Sequence, residues 1–571
     1  MSDLDAAPDL ETGGAAAGGR RSHSLSVAAG VMSSRVLGLV RDRLLAHLLG
    51  VGLWRDLFDV LFRGANLLQN LLGEQALSAA FLPIYNRFRE GGRPEEARRF
   101  AHAVLLIMVV TVAALVLALW LVAPWTARIL VPGWADEPQR MADVVRGVRI
   151  LLPMSGFLVL SAWCLAVLNS HDRFFLPYAA PVAWNVALLT ALAAAWWTLA
   201  SSRGDALVLA RPESQRAIVL WACWGGVVGG ALQLLVQLGP ALREVGGRIL
   251  GSWRAAGVTD FGRAFGPALM GRGVVQLSSY LDLMLGSLLA AGAIAAMGNA
   301  FRIYFLAATL VGTTIVVVEL PALSRLVRPV ASPDGGSRLD PTAALVRLRR
   351  SFADAAFLSL PSAVGLAVLG VPIVGTILQT GRFGRAETLL VGTVLGIYAV
   401  GLVPGISSRL LQNLFYALGD TATPARIAAG RLAVGAAIAV PSMLALDRIG
   451  VSDVFAVGDS ALRLGAWGLA LGSALGAWFE LGALTVASRR RAVPLGLPWR
   501  RLALFASLSI VAAASGGAAW WVLRSLPPLV LGPLVVAAFA AVYLVLARFL
   551  GVPELATVVE RWNPLRRGHR S

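Results

Sequence analysis

The chain contains no lysine among its 571 residues, so arginine carries every permanent side-chain cation. A phosphate loop of the form G-x-x-x-x-G-K-[ST] is therefore impossible, which removes that route to ATP hydrolysis. Cysteine is almost absent. Cys164 and Cys223 both fall in apolar segments and read as small packing residues rather than metal ligands or a disulfide. The five histidines show no metal-ligand spacing, so no metal site is expected. Charge is scarce as well: 14% of residues, where an ordinary soluble domain carries about 25%.

What is present is apolar. Hydrophobic residues make up 57% of the chain, and the mean hydropathy is +0.72. Apolar stretches of bilayer-spanning length recur from near residue 27 to near residue 550. A soluble protein buries a few such helices, not a dozen. The expected class is an all-α polytopic membrane protein with about fourteen spans. They lie near 27–49, 57–84, 101–123, 147–169, 177–200, 217–239, 264–289 and 296–324. Six more lie near 352–379, 388–412, 425–446, 463–487, 502–523 and 527–549. Residues 1–24, rich in Gly, Ala, Asp and Ser, read as a disordered leader. A cleavable signal is not expected, because the first apolar segment is long and interrupted by charge.

The net charge of +18 could point to nucleic acid. Its distribution points elsewhere, because the arginines collect in short connections and no nucleic-acid motif accompanies them. One alternate set of connections holds Arg87, Arg89, Arg93, Arg98 and Arg99, then Arg243, Arg248 and Arg254. The later members hold Arg347, Arg349 and Arg350, then Arg489, Arg490 and Arg491. These mark the cytoplasmic side and put both termini there.

The chain also repeats itself. Pro83, which closes the second span, and Pro321, which closes the eighth, are 238 residues apart. Pro177 and Pro424, beyond the fourth and tenth spans, are 247 apart. The glycine-rich sixth span around Trp224-Gly225-Gly226 pairs with the twelfth around Trp467-Gly468. Two parallel six-helix lobes follow, at 25–240 and 241–490. A two-helix segment at 491–550 and a basic tail at 551–571 complete the chain.

The costly residues are the charges inside these spans. Ser34-Arg35-Val36-Leu37-Gly38-Leu39-Val40-Arg41-Asp42 puts two arginines and an aspartate into the first. They are candidates for a cavity that takes an anion, or for structural ion pairs. Arg35 and Arg41 are six residues apart, about 9 Å along a helix and roughly 120° apart around it. They need not reach one phosphate together. The second span adds Asp56, Asp59, Arg63 and Glu74, of which Asp56 and Glu74 are candidates for gating, for holding an arginine or for capping a helix end. Asp59 and Arg63 have the i,i+4 spacing of a local pair. Asp282 is a candidate for ion coupling, Arg272 and Glu480 for lining a path, and Asp420 for ending a helix at a Thr-Pro turn.

The run from Ser34 to Asp42 resembles the first-helix signature of the MviN-like lipid II flippases. These belong to the multidrug/oligosaccharidyl-lipid/polysaccharide exporter superfamily. Similarity continues through Asp56, Asn66-Leu67-Leu68, Gly73-Glu74 and Ala80-Phe81-Leu82-Pro83. It returns at Phe415-Tyr416-Ala417-Leu418-Gly419-Asp420-Thr421 with Thr423-Pro424. The resemblance implies fourteen helices, a cationic cavity between two six-helix lobes, and a lipid-tail groove on the last two helices. It implies a bacterial inner-membrane flippase that moves an undecaprenyl-pyrophosphate-linked peptidoglycan precursor by alternating access, with no covalent chemistry.

On that pattern Arg35, Arg41, Arg302, Asn66 and Gln69 are substrate contacts. Asp56, Asp59, Arg63 and Glu74 are gating or ion-pair residues. No cofactor is implied; the membrane potential or a monovalent cation would supply energy. The implied partners are the polyprenyl-pyrophosphate lipid, membrane lipids and cell-wall synthesis proteins. The sequence also departs from the pattern. Gln69 stands where a third cavity arginine is usual. Gly64-Ala65 replaces Leu-Pro. Ala300-Phe301-Arg302-Ile303 replaces Ala-Asp-Arg-Leu, with Ala307 in place of a proline. These departures leave room for an exporter of another lipid-linked oligosaccharide or amphiphilic drug, or for a scaffold that transports nothing.

Overall fold

The computed structural model describes residues 12–201, 211–246, 255–326, 328–331, 337–340, 342–490 and 499–556. The chain forms two compact units. One comprises Met1–Leu48 with Leu57–Met284, and the other comprises Leu49–Asp56 with Leu285–Ser571.

The first unit contains α1 (Thr12–Leu49), most of α2 (Leu53–Leu72), α3 (Glu74–Glu90), α4 (Pro94–Leu121) and α5 (Ala123–Leu130). It continues with α6 (Pro138–Ser170), α7 (Phe175–Ala179), α8 (Pro181–Ser201), α9 (Pro212–Val245) and α10 (Val258–Gly286). Helix α1 begins at Thr12, inside the segment expected to be an irregular leader; residues 1–11 lie outside the described residues. The second unit contains α11 (Ala293–Leu326), β1 (Arg328–Ala331), β2 (Ser337–Asp340), α12 (Thr342–Leu378), α13 (Arg385–Val400) and α14 (Leu402–Ala417). It ends with α15 (Ala422–Leu446), α16 (Val451–Val454), α17 (Gly465–Arg490), α18 (Trp499–Leu523) and α19 (Pro528–Phe549).

The fold is helical, as a bilayer demands, because each helix satisfies its own backbone hydrogen bonds. Among the described residues it includes one antiparallel hairpin, β1–β2, in register from Arg328↔Asp340 to Ala331↔Ser337. The sequence between those strands, Ser332-Pro333-Asp334-Gly335-Gly336, has turn-forming composition. Eleven described helical segments are long and apolar enough to cross a membrane. The expected spans near 27–49, 57–84 and 264–289 are helical but fall outside those eleven. In α2 the reason is plain: twenty residues hold Arg55, Asp56, Asp59 and Arg63.

The expected single helix over 57–84 is two helices, broken at Gly73. The Gly73 amide donates to the Gln69 carbonyl at 2.8 Å. A side chain at Gly73 would collide with that same oxygen. Only glycine permits this approach, so the chain turns there and restarts with Glu74 as the first residue of α3.

In the first unit α6 packs against α3, α4 and α9, and α9 packs against α8. The buried Trp163 of α6 donates to the Ala101 carbonyl of α4 at 3.2 Å. Phe81, Tyr85 and Phe100 stack beside it, with centroids 5.0 and 5.4 Å apart. In the second unit α17 packs against α13, α14 and α15, while α12 packs against α13, α18 and α19. Phe357, Phe505, Phe539 and Tyr543 fill the space among α12, α18 and α19. The repeat read from sequence has a structural counterpart: the glycine-rich α9 packs on α8 as the glycine-rich α17 packs on α15. Pro83 and Pro321 each lie inside a helix, four residues before an arginine in its last turn.

Candidate functional site

A cavity of about 310 Å³ lies within the first unit. Its polar lining includes Arg35 of α1, Gln69 of α2, Glu74 of α3, Ser161 of α6, and Gln233 and Gln237 of α9. Three of the expected site residues therefore meet in one place. Arg35 and Glu74 are exposed, and Gln69 is half-buried. The break at Gly73 brings Glu74 into the lining, because it ends α2 and starts α3 at that level.

Behind these residues, Gln237 is buried. Its Nε2 donates to Ser161 Oγ at 2.6 Å and to the Gln233 carbonyl at 3.1 Å. A backbone carbonyl can only accept, so that bond fixes which end of the amide is nitrogen. The Gln237 Oε1 is left as an acceptor with no hydrogen-bond partner among the described residues. The site thus offers one cation, one carboxylate and neutral amide and hydroxyl groups. It suits an anionic group attached to a polar, uncharged body. Ser161, Gln233 and Gln237 were missed by sequence reasoning, since polar uncharged residues in apolar helices carry no periodic signal.

Arg41 is held away from that lining. Its Nε and Nη2 donate to Asp42 Oδ1 at 3.1 and 2.9 Å, and its Nη1 donates to Asn185 Oδ1 at 3.1 Å. The guanidinium also lies 5.4 Å from the Trp184 ring centroid. The paired alternative expected for this arginine is the geometry observed. Asn66 is half-buried on α2 and does not line the cavity. Asp59 is buried. Arg63 is half-buried, and its carbonyl accepts from the Tyr280 hydroxyl at 2.9 Å. Asp282 is exposed in the last turn of α10 rather than buried among helices. Arg272 falls on α10, and its side chain lies outside the described residues.

At the arginine-rich end of this unit, Tyr85, His171, Arg173 and Glu244 form a closed cluster. The Tyr85 hydroxyl meets His171 Nε2 at 2.9 Å. The Glu244 carboxylate lies 3.2 Å from His171 Nδ1 and 2.7 Å from Arg173 Nε. Burial pushes the His171 pKa below its ordinary value, and the Arg89 guanidinium adds to that against the pull of Glu244.

In the second unit, Asp56 is buried and accepts from the Gly292 amide at 2.6 Å and the Ala295 amide at 2.7 Å. It thus caps the first turn of α11 and meets the positive end of that helix. Its acidic character is explained by this contact. Arg55, its fully buried neighbour, donates to Asn299 Oδ1 at 3.1 Å. Arg302 Nη1 donates to the same oxygen at 2.8 Å. Glu480 is buried and closed by Gln412 Nε2 at 2.8 Å and Arg431 Nη1 at 2.7 Å. Asp420 accepts from the Thr423 amide at 3.0 Å and its hydroxyl at 2.6 Å, the helix-end role expected for it. Among the described residues, no cluster of His, Cys, Asp and Glu could hold a metal ion.

A family model described as lipid II flippase MurJ matches residues 45–540. A probable lipid II flippase MurJ of Rhizobium meliloti is 30% identical over 457 residues, covering 78% of this chain and 81% of that protein. The lipid II flippase MurJ of Burkholderia cenocepacia is 30% identical over 416 residues, covering 72% and 76%. Among solved structures, a lipid II flippase MurJ in an inward closed conformation superposes with a TM-score of 0.65 at 19% identity. That match covers 92% of this chain and 99% of the other. An inward-facing multidrug resistance MATE family transporter of the MOP superfamily superposes with a TM-score of 0.54 at 14% identity, covering 80% and 94%. These two structures are similar in fold.

Proposed function

The chain belongs to the lipid II flippase MurJ family, and from that premise we propose that it carries lipid II across the bacterial cytoplasmic membrane by alternating access. It is a multi-pass membrane transporter. In this reading the cargo is an undecaprenyl-pyrophosphate-linked peptidoglycan precursor, and both chain termini are cytoplasmic. The transport step makes and breaks no covalent bond. The membrane potential or a monovalent cation gradient drives it.

The observation that carries the reading is the exposed Arg35 guanidinium on the cavity it shares with Gln69 and Glu74. A lipid pyrophosphate cannot cross hydrocarbon unaided, and an arginine in a span offers it charge-assisted, bidentate hydrogen bonds. Gln69 supports a variant of the usual arrangement. It contributes hydrogen bonds without a second cation, so the cavity relies on Arg35 for charge. Arg41 supports the reading differently: tied to Asp42 and Asn185, it fixes α1 against α8.

The test is a reconstituted transport assay with lipid II in sealed vesicles. Wild-type protein should move the lipid between leaflets, and Arg35→Ala should lose that activity while its melting temperature stays unchanged. Normal transport by Arg35→Ala would remove the proposed role. Transport of a different lipid-linked oligosaccharide in preference to lipid II would redirect the cargo assignment.

A further inference from the structure

A stripe of α11 in the second unit carries Phe301, Phe305 and Gly312. Steps of four and seven residues return to within about 40° of one bearing on a helix. Phe301 and Phe305 are 43% and 50% exposed, with ring centroids 5.9 Å apart and planes 25° apart. They do not stand loose. Tyr398 of α13 is only 5% exposed and meets Phe301 edge-on at 5.8 Å. Tyr304 fills the corner, 5.8 Å from both Phe301 and Tyr398.

Arg409 of α14 reaches over the same stripe. A side-chain carbon at Gly312 would lie 3.8 Å from its Nη1, so the glycine leaves the guanidinium room. Arg409 is exposed and has no carboxylate partner among the described residues. Other arginines of this unit do: Arg431 closes Glu480 at 2.7 Å, and Arg347 closes Glu319 at 2.8 Å. An unpaired guanidinium inside a span is costly against hydrocarbon and marks a face turned to water or to an anion. The rings that share this face are therefore placed beside a polar path. Phe301 itself stands where the resemblance places an aspartate. The exchange removes an acid and adds a ring.

We propose that this stripe recognises a sugar joined to a phosphate. Phe301 and Phe305 stack on the apolar face of a pyranose ring, and Arg409 binds an anionic oxygen of the attached diphosphate. The C–H groups of that sugar face are slightly positive and the aromatic faces negative, so stacking adds attraction to apolar burial. Phe305 and Gly312 are about 10 Å apart along the helix, a separation that a sugar ring and its diphosphate can bridge. The proposal rests on the cargo being a lipid-linked saccharide and names the residues of the second unit that read the saccharide.

The experiment compares two ligands on full-length protein in lipid nanodiscs. One is a polyprenyl pyrophosphate bearing the amino-sugar disaccharide, and the other is the same pyrophosphate without sugar. Wild-type protein should bind the saccharide form more tightly. The double substitution Phe301→Leu with Phe305→Leu keeps the surface apolar but removes the rings. It should weaken the saccharide ligand about tenfold and leave the bare pyrophosphate unchanged. Arg409→Gln should weaken both ligands by the same factor. If the leucine pair weakens neither ligand, or both alike, the rings only face lipid and the proposal falls. If wild-type protein binds neither ligand, the cargo reading itself fails and takes this proposal with it. An unchanged melting temperature for each variant separates these outcomes from misfolding.

Discussion

The two units differ in where charge stands on a cavity and where it is closed in buried pairs. In the first, Arg35 and Glu74 stand exposed on a cavity lined by glutamines and a serine. In the second, three buried acids are closed by arginines: Glu319 by Arg347, Glu480 by Arg431 and Glu554 by Arg501. The exposed Arg35 contributes little to folding and is available to a ligand, whereas a closed pair is spent on structure. Arg409 contrasts with these three pairs: it is exposed and has no carboxylate partner among the described residues.

The largest effect expected from this contrast is on transport. Arg35→Ala should reduce lipid II translocation tenfold to hundredfold, roughly the worth of hydrogen bonds to a charged group, with no change in melting. A lower melting temperature would instead make Arg35 a structural residue like its counterparts in the second unit. The converse substitution, Arg431→Ala, leaves the buried Glu480 without its cation. It should cost about 3 kcal/mol of stability in a thermal or denaturant melt. An unaltered melt would break the division between the units. Asp56→Asn keeps one acceptor oxygen for the α11 cap but loses the other and the charge, and should cost about 2 kcal/mol by the same measurement.

The smallest effect concerns the Tyr85–His171–Glu244 cluster, the first unit's own closed set. His171 has a lowered folded pKa, so the unfolded chain binds its proton more readily. Its contribution to stability is present above the ordinary histidine value of about 6.5 and is lost as pH falls from there toward the depressed folded value. Arg89, Arg173 and Asp172 also act on this ring. The melting temperature of wild-type protein should therefore fall between pH 7 and pH 5 more steeply than that of His171→Gln. Parallel curves would show that the histidine does not titrate within the cluster.

Much of this was legible in the chain. Apolar length marked the spans, and the exceptions were those where charge interrupts them, as α2 does with Arg55, Asp56, Asp59 and Arg63. The break at Gly73 was not legible, because a lone glycine inside an apolar run reads equally well as part of one helix. Arg35 and Gln69 were expected together and are found on one cavity. Arg41, paired with them by motif, is tied to Asn185, a residue 144 positions away that no local pattern connects to it. Asp56 was expected to gate, to pair with an arginine or to cap a helix end, and the cap is what it forms, on two backbone amides of α11.

Residue pattern alone establishes a helical, repeated and membrane-embedded chain. Those properties depend on local periodicity and on runs of apolar residues, because a backbone in hydrocarbon must satisfy its hydrogen bonds within each segment. Which charges are exposed and which are closed in pairs follows from packing between helices. Whether a guanidinium binds a ligand or braces a helix depends on what lies within about 3 Å of it in space, and those neighbours come from distant parts of the chain.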